Sequence, residues 1–114
     1  MEKTYYKGII AEFFAKSFLK LKGYRIRKSR DKHFLGEIDI VAEKNNLIIF
    51  VEVKFRHKKA ELHYAVSNHQ VNRIRNSSLR YFREIECNKK TARIDVILIS
   101  WFYIKHIKNA FPLI

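Results

Sequence analysis

At 114 residues the chain has room for one hydrophobic core and is too short for two, so residues 1–114 are expected to form a single domain. Lys and Arg number 24 against 11 Asp and Glu, a formal charge of +13 that points to a polyanionic partner: nucleic acid first, with an acidic membrane surface giving the same electrostatic signature. The lone Cys87 cannot close an intramolecular disulfide, the five histidines fit no metal-ligand spacing, and no apolar run approaches a membrane span. These features argue against a zinc site and a membrane segment, and a cytoplasmic protein without a small-molecule substrate is expected.

In chain order, residues 4–22 place Tyr6, Ile10, Phe13, Phe14, Phe18 and Leu21 at helical spacing, with Thr4 as N-cap and Lys20, Lys22 and Gly23 as the stop signal. Gly8, Ala11 and Ala15 give this helix small-residue contact points on another side. A short strand follows at Tyr24–Lys28, then a polar loop over Ser29–Leu35. Residues 37–43 and 47–55 read as two strands joined across Asn45-Asn46, since Asn tolerates the left-handed backbone of tight hairpin turns.

After the basic loop His57–His63, residues 68–86 set Val71, Ile74, Ser78, Phe82 and Ile85 on one face of a second helix, with Arg73, Asn76, Arg80 and Arg83 opposite. Arg93–Ser100 is a nearly all-aliphatic and therefore central strand, and Trp101–Ile107 a fifth. For Trp101-Phe102-Tyr103 ordinary core packing is favoured over a dimer interface. The order is helix, three strands, helix, one or two strands: an α/β protein with a mixed four- to five-stranded sheet flanked by helices, an αβββαβ core.

The hairpin carries the chemistry. With Asn45 and Asn46 as turn residues, Lys44 opposes Leu47, and the same register carried along the ladder sets Asp39 opposite Glu52 and Glu37 opposite Lys54, all on one face. Two carboxylates roughly 5 Å apart repel by about 3 kcal/mol at an effective dielectric of about 20. A shared proton, a neighbouring Lys or a divalent cation must offset that. Two hard oxygen ligands completed by water suit Mg²⁺ or Mn²⁺. Polar-out strands are also ordinary, so a solvated charge ladder stands beside this reading, although Val41, Ile48 and Phe50 on the same face favour a partly covered pocket.

Asp39 followed on the next strand by Glu52-Val53-Lys54 resembles the PD-(D/E)XK nuclease signature. GEIDIV (36–41) and FVEVKFR (50–56), together with Gly8, Glu12, Ala15, Leu19 and Gly23, the later Arg93-Ile94-Asp95-Val96 and the IKNAF near the end, are similar to the YraN-like family. Those are small proteins assigned to the restriction-endonuclease-like fold. A Glu on the first helix ahead of Asp and Glu-x-Lys also resembles the archaeal Holliday-junction resolvases. Where the family usually has Lys in the second helix this chain has Gln70, as RecB-like nucleases do.

The resemblance implies a metal-dependent nuclease, acting on branched or structured DNA. In it Asp39, Glu52 and the Val53 carbonyl hold the ion, Lys54 orients water or stabilises charge developing at phosphorus, Glu12 completes the metal shell and Gln70 positions water or backbone. An i,i+4 pair with Lys16 is an equally adequate role for Glu12. Phosphate contacts are expected from Arg25, Arg27, Lys28, Arg30, Arg56, Lys58 and Lys59, with Arg73, Arg80 and Arg83 as a second group, though a solvated surface charge is the commoner role for any one of them. The alternatives are a non-catalytic nucleic-acid-binding module and an assembly partner that works as a homodimer.

Overall fold

The computed structural model describes residues 2–33, 36–58, 68–85 and 90–113. The elements are α1 (Glu2–Leu21), β1 (Arg25–His33), β2 (Gly36–Lys44), β3 (Leu47–Phe55), α2 (Asn68–Glu84), β4 (Thr91–Ser100) and β5 (Tyr103–Phe111). The five strands form one sheet in sequential order. β1, β2 and β3 are antiparallel neighbours, β4 runs parallel to β3, and β5 returns antiparallel to β4. A parallel neighbour needs a long connection, and α2 provides it.

Each helix covers one face. Ala11, Ala15 and Leu19 of α1 pack with Ile40, Ala42, Ile49, Val51, Ile97 and Ile99. Ile74 and Tyr81 of α2 pack with Val41, Ile48, Phe50 and Ile94 on the other side. This double cover is why β3 and β4 carry nearly unbroken aliphatic runs.

The stop signal of α1 is a complete C-cap. Gly23 has φ +95°, its N–H donates to the Lys20 carbonyl (3.0 Å), and the Tyr24 N–H donates to the Leu19 carbonyl (2.9 Å). That is the Schellman arrangement, and it needs a residue at ease with positive φ. The hairpin turn also forms as expected: Asn45 adopts φ +56°, and Lys44 pairs with Leu47.

Several expectations are corrected. The helix begins at Glu2, so Thr4 is not its N-cap. The stretch 29–33 is strand, because it pairs with β2 down to His33 and Gly36; an edge strand tolerates the polar composition that suggested a loop. The fifth strand starts only at Tyr103 and runs to Phe111, while Trp101 and Phe102 form the turn before it, and both are exposed. Core packing for that segment is therefore overturned.

The apolar stripe of α1 is corrected as well. Ile10, Phe13, Phe14 and Leu21 are exposed, and the small-residue side holding Ala11 and Ala15 faces the sheet. On α2 the buried residues are Ile74, Ser77, Ser78 and Tyr81, a stripe turned slightly from the one the spacing indicated. Cys87 and residues 59–63 of the basic loop lie outside the described residues.

A buried polar network fixes the β4–β5 side of the sheet. Asp95, fully buried in β4, accepts from Arg93 Nε (2.8 Å), Arg93 Nη2 (3.0 Å) and the Asn109 N–H (2.9 Å), and lies 2.7 Å from His106 Nε2. The other ring nitrogen of His106 is 2.8 Å from Lys22 Nζ at the end of α1. Burial alone would raise the Asp95 pKa, but the hydrogen bonds from His106, Arg93 and Asn109 outweigh it and hold the carboxyl below its ordinary value. The network ties β5 and the end of α1 to β4.

Candidate functional site

The hairpin register holds from Lys44–Leu47 to Ile40–Val51 and then stops. Beyond it Asp39 is not in a ladder pair with Glu52; instead its Oδ2 accepts the Val53 N–H at 2.8 Å. A carboxylate thus occupies the place of a strand neighbour. The neighbouring backbone shows the same break. Ile38 packs with the α2-side cluster while Ile40, two positions on, packs with the α1-side cluster, although regular alternation would put both on one face. In β1, Arg30 lies between the pairs Ser29–Ile40 and Asp31–Ile38 and has φ +54°. The sheet opens at Asp39, and groups from both of its faces gather there.

Glu37, Asp39 and Glu52 line a cavity of about 180 Å³ together with Gln70, Arg73 and Ile74 of α2. Arg73 is therefore on the site side of α2, contrary to its expected outward placement. From the other side Glu12 is only 9 % exposed, and its Oε1 accepts from Arg30 Nε at 3.0 Å. Lys16 donates instead to Ser29 Oγ (3.2 Å), so this contact replaces the i,i+4 pair expected between Glu12 and Lys16. Lys54 Nζ lies 3.5 Å from Glu52, which corrects the expected Glu37–Lys54 pairing.

The electrostatics of this group centre on Asp39, since Lys54 stands against Glu52 and Arg30 against Glu12. Asp39 is 9 % exposed, and burial, followed by the charge of Glu52, pushes its pKa up to about 8. The Val53 hydrogen bond opposes this without reversing it, and Glu12 and Glu37 add to it. Burial also raises Glu52; Lys54 pulls it down, while Glu37 and Glu12 push it up. Glu12, placed on α1 behind the sheet, thus acts electrostatically on both hairpin acids. Among the described residues no group of three or more His, Cys, Asp or Glu is gathered closely enough to hold a metal ion by itself.

The basic residues divide. Glu43, buried in β2, is met by Lys90 Nζ (2.6 Å), Arg25 Nη2 (2.9 Å) and Arg27, whose Nε also donates to the Tyr81 hydroxyl (3.3 Å). The side-chain hydrogen bonds from Lys90 and Arg27 outweigh burial and hold the Glu43 pKa below its ordinary value. Arg25 and Arg27 therefore have structural partners, as do Arg30 with Glu12 and Arg80 with Glu84 (2.6 Å). Arg56 donates to the Phe55 carbonyl (2.7 Å). Lys28, Arg56, Lys58, Arg73 and Arg83 present exposed side chains, and Lys59 lies outside the described residues. Sequence reasoning missed Glu43 and Lys90; the signal available was an acid alternating with Val41 on the helix-covered face.

The class defined by this geometry is an α/β protein whose mixed five-stranded sheet carries a pocket of buried carboxylates at an interrupted hairpin. Residues 11–99 match the uncharacterised protein family UPF0102, the YraN-like group, and the chain belongs to that family. It is similar to a UPF0102 protein of Rhizobium etli, 42 % identical over 99 residues that span 86 % of this chain and 81 % of the relative. A UPF0102 protein of Mesorhizobium japonicum is 33 % identical over 112 residues, 96 % of this chain and 90 % of that one. One from Bartonella tribocorum is 35 % identical over 112 residues, 96 % and 86 %. Among the described residues no helix is long and apolar enough to cross a membrane.

Proposed function

We propose that this protein is a divalent-cation-dependent phosphodiester hydrolase of nucleic acid, with DNA the favoured substrate and a restriction-endonuclease-like arrangement of its sheet. The observation that carries this reading is the buried Asp39 carboxyl, pushed up to about 8 beside Glu52 and Glu12 in a chain of net charge +13. Such a carboxyl holds a proton near neutral pH, and a divalent cation is the partner that would take that proton's place. The donor set fits Mg²⁺ or Mn²⁺, which are commonly held by one or two carboxylates plus substrate phosphate rather than by an all-protein cage. Asp39, Glu52 and the Val53 carbonyl would hold the ion, with Glu12 able to join once released from Arg30. When bound, the ion supplies charge neutralisation at a phosphate and a lowered pKa for water.

The chain's own residues do the rest. The Val53 N–H fixes the orientation of Asp39, so one carboxylate oxygen is already aimed before substrate arrives. Lys54, beside Glu52, is placed to donate to a phosphate oxygen as charge develops there. Gln70 and Arg73 line the opposite wall, the first to hold water or backbone and the second to meet a phosphate. Exposed Lys28, Arg56, Lys58 and Arg83 add salt-sensitive, sequence-independent affinity.

The test is cleavage of labelled duplex, four-way junction, flap, single-stranded DNA and RNA, with Mg²⁺, Mn²⁺ or EDTA. Cleavage that requires the cation and disappears in Asp39→Asn is the expected result. The Arg30–Glu12 pair, which already neutralises one acid, favours a second reading as a non-catalytic binding module. Retained binding with no cleavage of any substrate under any cation would select it.

A further inference from the structure

Ile10, Phe13, Phe14 and Leu21, four residues of the α1 stripe that the sequence marks as apolar, are left uncovered by the sheet. Ile10, Phe14 and Leu21 line a groove of about 370 Å³ with Trp101 and Phe102 of the β4–β5 turn. Leu21 is 89 % exposed and Phe102 entirely so. Phe13 extends the surface through an edge-to-face contact with Phe14, ring centroids 5.7 Å apart. Fully exposed aromatic side chains each present roughly 200 Å², so this face amounts to roughly 700–800 Å² of apolar surface. The largest apolar patch of a typical monomer is about 300–600 Å², whereas a stable dimer buries about 800 Å² per partner.

We propose that α1 and the β4–β5 turn form a homodimer interface in which Phe102 of each copy enters the groove of the other. The surface holds both a protruding side chain and a recess beside it, which is the self-complementarity a two-fold interface requires. Its five lining side chains named above carry no charge, so two strongly basic copies meet without like charges in contact. Their longer-range repulsion falls with salt, over a screening length of about 8 Å at physiological ionic strength. The dimer is therefore strengthened by added salt, the reverse of nucleic-acid binding.

Analytical ultracentrifugation of the full chain from 1 to 100 µM, at 0.1 and 0.5 M NaCl and without nucleic acid, tests this. The expected result is a concentration-dependent monomer–dimer equilibrium, tighter at 0.5 M. Phe102→Asp should weaken it by roughly 30-fold or more, as for a hot-spot residue. Leu21→Glu, at another exposed position, should weaken it too, and circular dichroism establishes that both variants fold. The only tryptophan, Trp101, gives an independent readout: its emission should shift to the blue as concentration rises. A wild-type chain monomeric at 100 µM in both salts, or a dimer indifferent to both variants, overturns the proposal. So does a monomer whose Trp101 emission responds only to added single-stranded oligonucleotide, which would make this face a base-stacking platform. Cleavage is not measured, so failure here is separate from failure of the hydrolase reading.

Discussion

Replacing Asp39 by Asn isolates the charge at the centre of the site while keeping an oxygen to accept the Val53 N–H. With a folded pKa of about 8 and an unfolded value of about 3.9, the native state of the metal-free protein keeps a proton that the unfolded chain releases. Stability from this group is therefore full below about pH 4 and declines as pH rises through about 8. Between pH 5.5 and 8 the linkage relation gives a loss of about 3 kcal/mol. For a domain of this size that is roughly 10 °C in melting temperature.

Thermal unfolding in EDTA across this pH range, followed by circular dichroism, should show the decline in the wild type and a much flatter profile in Asp39→Asn. The variant should be the more stable of the two at pH 8. Adding Mn²⁺ at pH 8 should raise the melting temperature of the wild type and leave the variant unchanged, because an ion that binds only the folded carboxylates stabilises by mass action. Parallel wild-type and variant profiles would refute the claim that this carboxyl is short of a counter-charge.

Lys54→Ala should lower cation-dependent cleavage by about 100-fold or more while leaving binding to a labelled duplex within a few-fold, measured by single-turnover kinetics and anisotropy. Asp95→Ala should cost about 3–5 kcal/mol in denaturant unfolding, since it leaves Arg93 without its buried partner. The depressed pKa of Asp95 works in the opposite sense to that of Asp39: its stability is present above about pH 4 and is lost as pH falls further, so this variant should also show a shallower acid limb. Gly23→Ala should destabilise by about 1–2 kcal/mol, because the position has φ +95° and a Cβ would stand 3.3 Å from Lys44 Cε. An urea midpoint unchanged from the wild type would remove the C-cap argument.

Periodicity and turn chemistry are local, and the local parts of this fold were legible. The helix stop at Gly23, the Asn45-Asn46 turn, the hairpin register to Ile40–Val51 and the aliphatic centre of β4 all follow from residues within a few positions of one another. The gathering of Asp39 and Glu52 on the hairpin was legible as well, although not as the ladder pair the register indicated. The family was legible too, in GEIDIV and FVEVKFR, both within the matched residues 11–99.

Which partner each charge takes was decided only by long-range geometry. Arg30 reaches Glu12 from the next element, Lys90 reaches Glu43 from just ahead of β4, and Asp39 leaves its ladder to bind the backbone of β3. The apolar stripe of α1 makes the same point in reverse. Alternation and helical spacing rank side chains by hydrophobicity, but the sheet receives Ala11 and Ala15 because small residues let a helix approach closely, and the larger Phe13, Phe14 and Leu21 are left facing outward. Sequence determined the elements and their chemistry; close packing determined which face of each element is buried and where the charges meet.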